Sequence, residues 1–117
     1  MSRPLVLIIE DDPQLSKIFT FTLRDDFELE TFGTGTQALE RLANVVPHII
    51  ILDLHLPGIS GSDILSNIRA EERLSKVIVI LCTADNRQAD YLRDKADFVL
   101  LKPVSPNQLR QLATRLK

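Results

Sequence analysis

Apolar residues along this chain gather in short, nearly unbroken runs, separated by longer stretches in which they recur every three or four positions. Four runs stand out: LVLII from Leu5, IIIL from Ile49, VIVIL from Val77 and FVLL from Phe98. Each is rich in β-branched or aromatic residues. A run with no polar alternation marks a strand covered on both faces, as in a parallel sheet. A fifth segment, FELETF from Phe27 to Phe32, alternates polar with apolar residues and predicts an edge strand.

The stretches between the runs carry helical spacing. Asp12 followed by Pro13 predicts an N-cap and a first helical position, with Leu15, Ile18, Phe19 and Leu23 along one side. Thr36 is the predicted cap of a helix carrying Ala38, Leu39, Leu42 and Ala43, and Ser62 of one carrying Ile64, Leu65 and Ile68. Ser105 and Pro106 open a last helix with Leu109, Leu112, Ala113 and Leu116 inward. Asn86 to Asp94 is the poorest helix, with only Ala89, Tyr91 and Leu92 to bury, and is expected to be the most mobile. Strand and helix alternate five times, which predicts a doubly wound α/β sandwich on a parallel sheet. The pattern leaves the order of the strands open.

At 117 residues the chain is read as a single domain, 1–117, with 44% hydrophobic residues to build its core. Its formal net charge of -2 gives no basic surface for nucleic acid or an anionic membrane. Cys82 is the only cysteine, so no internal disulfide forms, and a core position in a reducing cytoplasm is expected for it. The N-terminal stretch lacks the long apolar region and small-residue cleavage site of a secretory signal, and no apolar run has the length to span a bilayer.

Chemistry collects at the strand ends. The first strand runs into Glu10, Asp11 and Asp12; the third ends in Asp53, the fourth in Thr83 and the fifth in Lys102. In open α/β sheets, ligands bind beyond the carboxyl ends of the strands, so these residues should converge on one crevice. Carboxylates crowded together repel unless a cation sits among them. An all-oxygen donor set without a Cys or His cluster favours a hard ion, Mg²⁺ before Mn²⁺ or Ca²⁺. Lys102 can pair with an anionic oxygen and Thr83 can donate to one, which completes a site suited to phosphoryl transfer. Asp53 is the candidate nucleophile, forming an acyl phosphate. Singly, each residue has a structural reading: Asp12 before Pro13 caps a helix in any case, Asp53 could serve a turn, Lys102 a solvated loop and Thr83 the core. Their order and their common position at strand ends make the set specific.

On these residues the sequence resembles the receiver domains of two-component response regulators over essentially its whole length. IIEDDPQL is similar to the family's acidic pair, read here as Asp11 and Asp12 with Glu10 as the preceding acid. IILDLHLPGISG resembles the phosphoacceptor strand and loop, placing the phosphorylated aspartate at Asp53. LCTAD resembles the segment with the switch hydroxyl, at Thr83, and LLKPVS the one with the lysine, at Lys102. GTQALE from Gly35 resembles the opening of the second helix. The resemblance implies a flavodoxin-like, five-stranded parallel sheet in the order 2-1-3-4-5. It implies a phosphoryl group donated to Asp53 by a sensor histidine kinase or a histidine phosphotransfer protein. It implies Mg²⁺ held by Asp12, Asp53 and the His55 carbonyl, with Asp11 acting through water. It further implies a cis bond between Lys102 and Pro103, a kinase surface on the first helix, and a fourth-to-fifth-helix face for a downstream partner, an effector domain or a phosphorylation-dependent homodimer. Such a protein is a signalling switch rather than a turnover enzyme.

Three positions depart from the family pattern. Val99 stands where the family usually carries an aromatic switch residue, which weakens or reroutes the coupling from Thr83. His55, two residues after Asp53, and Asp85, two after Thr83, are candidates for tuning the acyl-phosphate lifetime, although for His55 a loop role through its backbone alone is favoured. Lys95 stands where a glycine often ends the fourth helix in a left-handed turn. The rival reading is a haloacid-dehalogenase-type phosphatase with Asp53 as nucleophile. That family wants a second aspartate where His55 stands, and its acidic pair comes late in the chain rather than first. A flavin carrier of the same fold would need a Ser/Thr-rich phosphate loop after the first strand, where this chain has carboxylates.

Overall fold

The structure, a computed structural model, describes residues 3–117. Its strands are β1 (Leu5–Ile9), β2 (Glu28–Phe32), β3 (Ile49–Asp53), β4 (Ile78–Thr83) and β5 (Phe98–Leu101). The helices between and after them are α1 (Pro13–Leu23), α2 (Gly35–Leu42), α3 (Gly61–Ala70), α4 (Asn86–Leu92) and α5 (Pro106–Arg115). All neighbouring strands pair in parallel, in the order β2-β1-β3-β4-β5. This is the flavodoxin-like doubly wound sandwich that the family resemblance implied.

Side-chain alternation along each strand sorts the core into two layers. Val6 and Ile8 of β1, Ile49 and Ile51 of β3, and Ile80 and Cys82 of β4 pack with Phe19 and Leu23 of α1 and Leu109 and Ala113 of α5. The intervening residues Leu7, Ile9, Ile50, Leu52, Val79 and Leu81 pack with Ala38, Leu42, Ile64, Ile68 and Leu92 on the other face. Burial of both faces of β1, β3 and β4 is why these runs are continuous in sequence.

The edge strands differ from that pattern in opposite ways. β2 lies at an edge, as its alternation predicts. The apolar run of β5 reads as doubly covered, yet the strand is the other edge, with Phe98 37% and Leu101 46% exposed. Apolar composition alone does not separate a central strand from an apolar edge.

Two helix caps also move. Thr34, not Thr36, caps α2 through Oγ1, which accepts from the Gln37 N–H at 3.3 Å. Ser60, not Ser62, caps α3, accepting from the Asp63 N–H at 3.1 Å. In both helices a glycine follows the cap because the first turn packs too closely for a side chain. A Cβ on Gly61 would lie 2.6 Å from the Leu54 Cα and 2.7 Å from the Asp53 carbonyl oxygen. One on Gly35 would meet Ile64 Cδ1 at 2.3 Å. The expected caps Asp12 and Ser105 stand as predicted, each with proline next.

Ile18 and Tyr91 were expected to face inward but are exposed, Tyr91 by 84%. α4 therefore buries only Ala89 and Leu92. Among the described residues no non-glycine has a positive φ, so Lys95 does not form a left-handed turn. The chain leaves α4 through right-handed Arg93, and the Lys95 N–H donates to the Leu92 carbonyl at 2.9 Å. The bond between Lys102 and Pro103 is cis. No helix among the described residues is long and apolar enough to cross a membrane.

Candidate functional site

The parallel sheet delivers the ends of β1, β3, β4 and the residue after β5 to one edge. Asp53, the last residue of β3, is 2% exposed, Glu10 just beyond β1 is 4% exposed, and Thr83 is fully buried. Lys102 is placed by its backbone N–H, which donates to the Thr83 carbonyl at 2.8 Å. From there its Nζ reaches Asp53 Oδ1 at 3.2 Å and Glu10 Oε1 at 3.3 Å. One ammonium is thus shared by two buried carboxylates.

Carboxylate oxygens of Glu10, Asp11 and Asp53 all lie within 4.8 Å of one another. Oxygen-only donors at that spacing suit a small hard cation, whose metal–oxygen bonds are about 2.0–2.6 Å long. Asp12 is outside the group. Its Oδ1 accepts from the Gln14 N–H at 2.9 Å and caps α1, while its own N–H donates to Glu10 Oε2 at 3.2 Å. The acids grouped with Asp53 are therefore Glu10 and Asp11, where Asp11 and Asp12 were expected. The missed residue was legible in principle. Continuing the alternation of Val6 and Ile8 brings Glu10 to the face shared with Ile49, Ile51 and Asp53.

Electrostatics follow from this crowding. Burial, then the neighbouring Asp53 carboxylate, pushes the Glu10 pKa up to about 7. Burial works against the charge on Lys102, but the Asp53 and Glu10 carboxylates outweigh it and hold its pKa above the ordinary lysine value. The arrangement favours an added positive charge among Glu10, Asp11 and Asp53.

The remaining expected residues divide. The His55 N–H donates to Asp53 Oδ1 at 3.1 Å, while its side chain is exposed, so only its backbone is committed to the site. The Asp85 N–H donates to Thr83 Oγ1 at 3.0 Å, and Asp85 Oδ1 accepts from the N–H groups of Arg87 and Gln88, capping α4. Val99 is half-buried against the layer that contains Leu92. Cys82 lies in the core, where burial pushes its thiol up to about 12, so it holds its proton.

A buried strand-end aspartate flanked by acids, a lysine and a hydroxyl, on a sheet of this order, defines a phosphoryl-accepting α/β domain. The chain belongs to the response regulator receiver domain family, whose sequence model matches residues 6–114. It is 34% identical over 111 residues to the DNA-binding response regulator MtrA of Mycolicibacterium smegmatis, covering 92% of this chain and 47% of that protein. The chain thus spans about half the length of the curated relatives it matches. The chemotaxis response regulator CheY4 of Vibrio cholerae superposes with a TM-score of 0.90 at 22% identity, over 99% of this chain and 100% of that one. Response regulator DrrB, a Thermotoga maritima OmpR/PhoB homolog, superposes with a TM-score of 0.86 at 26% identity, over 98% of this chain and 52% of that one. The chain is accordingly a phosphoacceptor module of two-component signalling, and the haloacid-dehalogenase reading has no support.

Proposed function

We propose that residues 1–117 act as one receiver unit in which Asp53 accepts a phosphoryl group from a phosphohistidine on a sensor kinase or phosphotransfer protein. An Asp53 carboxylate oxygen attacks phosphorus, the phosphorus–nitrogen bond breaks, and the imidazole keeps the electron pair and takes up a proton. The observation that carries this reading is the single Lys102 Nζ within 3.3 Å of both Asp53 and Glu10 beside the three-carboxylate cluster. Lys102 then pairs with a phosphoryl oxygen, and Thr83 donates to another after turning from the Asp85 N–H. Asp11 and Asp53, with the His55 carbonyl and with Glu10 alongside, are the groups that would hold Mg²⁺; Asp12 serves as the cap. When bound, Mg²⁺ supplies charge neutralisation at the phosphoryl oxygens.

The unit works as a switch for protein partners rather than as a turnover enzyme, in the cytoplasm, where a histidine kinase can reach it. Its net charge of -2 gives no electrostatic reason to expect direct nucleic-acid contact. Exposed Tyr91 and Leu101, on α4 and β5, provide the face for a downstream domain, a protein partner or a phosphorylation-dependent second copy. Fluorine NMR with beryllium fluoride tests the site directly, because this phosphoryl mimic needs both the aspartate and the metal. Bound-fluoride resonances should appear only with Mg²⁺ and vanish in Asp53→Asn. Resonances that persist in that variant would overturn the assignment.

A further inference from the structure

α1 carries apolar residues on two sides. Phe19 and Leu23 are buried against the sheet, but Ile18 is 45% and Phe21 69% exposed. Phe21 stands as a ridge between two hollows. One, of about 270 Å³, reaches Pro106 and Arg110 of α5; the other, of about 250 Å³, reaches Thr31 of β2. Exposed Lys17 and Arg24 flank the ridge, with the Arg24 guanidinium 4.4 Å from the centroid of the Phe21 ring. Among the described residues neither cation has a carboxylate partner. Of the acids that follow, Asp26 is taken by Lys117 at 2.9 Å, which leaves Asp25. The patch is an apolar knob with a positively charged rim.

The opposite kind of surface lies on the other side of the sheet. Between α2 and α3 is a cleft of about 390 Å³. Leu42, Ile68 and Leu74 form its buried floor, and half-buried Leu39 with the small, exposed Ala43 and Ala70 its walls. Its rim is acidic. Glu71 lines the cleft, Asp63 lines the hollow next to it, and Glu40 and Glu72 are exposed beside Leu39 and Glu71 in the sequence. The arginines of this flank are spent elsewhere. Arg41 pairs with Glu30, and Arg73 donates to the Leu42 and Val45 carbonyls and approaches Glu71 only to 3.5 Å.

We propose that this cleft receives the α1 knob of a second copy of this chain. Phe21 enters between α2 and α3, and Lys17 and Arg24 meet Glu71 and Asp63. The opposite charges of the two rims make another copy the fitting occupant. α1 and the α2–α3 pair cover opposite faces of the sheet, so the contact is head-to-tail rather than two-fold. An assembly that does not close on itself keeps one free knob and one free cleft. The rims are exposed, so their pairing is weak and screened by salt; burial of the Phe21 ring supplies the rest.

Sedimentation velocity over a concentration series tests this. The average mass of the wild type should rise with concentration, and less steeply in high salt. Phe21→Ser removes the knob, and Ala70→Arg fills the cleft with a cation; both positions are exposed, so both variants should fold. Each variant alone should stay monomeric at every concentration. Mixed, the two should form a dimer and nothing larger, because one lends its cleft and the other its knob. A wild type that stays monomeric would overturn the proposal. So would self-association that survives either substitution, or a mixture that stays monomeric where the wild type associates. Self-association indifferent to salt would overturn the pairing of the rims.

Discussion

Asp11 and Asp12 are adjacent carboxylates with opposite assignments, and substitution separates them. Asp11 shares its space with Glu10 and Asp53, so in metal-free protein its charge adds to a repulsion that Lys102 only partly offsets. Asp11→Asn should raise the melting temperature in the presence of a chelator and weaken Mg²⁺ binding at least tenfold, measured by calorimetry. Asp12→Ala should do neither. Losing the cap on the Gln14 N–H should cost about 1 kcal/mol in denaturant unfolding and leave Mg²⁺ affinity nearly unchanged. If Asp12→Ala instead abolishes Mg²⁺ binding, the acidic pair is the later one. The candidate residues Asp53, Thr83 and Lys102 were legible in sequence because the first two end strands of a parallel sheet and Lys102 directly follows one. The acids grouped beside Asp53 differ by one position from the expected Asp11 and Asp12 because three consecutive acids cross the strand boundary there. The parity of side chains set by Val6 and Ile8 identifies Glu10 as inward, but Asp11, beyond the end of β1, reaches the cluster only because the strand has ended there.

Elements were legible where burial is two-sided and obscure where it is not. β1, β3 and β4 lie within a residue or two of their apolar runs, whereas the apolar run of β5 concealed an edge. The starts of α2 and α3 were misplaced because the reason for them is a distance between backbones, which no local residue preference records. Gly61→Ala tests that reason. Its Cβ would strike Leu54 and the Asp53 carbonyl, so the variant should lose roughly 1–3 kcal/mol in denaturant unfolding and slow acquisition of phosphate by Asp53. Equal stability of the two proteins would show that the contact relaxes freely. The pairing of β2 with α2 adds a pH dependence. Arg41 donates to Glu30 at 2.8 Å and 3.0 Å and, through this hydrogen bonding, holds its carboxyl below the usual glutamate value. The folded chain thus binds this proton less tightly than the unfolded chain. The resulting stability is present above the ordinary value of 4.5 and is lost as pH falls through the depressed one. Because the pair is partly exposed, it should be worth well under about 1 kcal/mol. The stability difference between wild type and Glu30→Gln should therefore be small at neutral pH and absent in acid; a difference that grows on acidification would contradict the assignment.

At the scale of the whole molecule, a doubly wound sheet turns a linear order of residues into one site. β1 and β3 are neighbours, β4 follows, and Lys102 arrives from beyond β5 to reach across Asp53 to Glu10. The strand order was not legible from hydrophobic patterning, since every right-handed arrangement of five such units has the same pattern; the family resemblance supplied it. This arrangement suits a phosphoryl group held on Asp53. Intact mass after incubation with a small acyl-phosphate donor tests it most directly, with and without Mg²⁺ and with Asp53→Asn in parallel. A gain of one phosphoryl mass should appear, require Mg²⁺ and be lost in the variant. A gain that persists in Asp53→Asn, or that is indifferent to Mg²⁺, would contradict it.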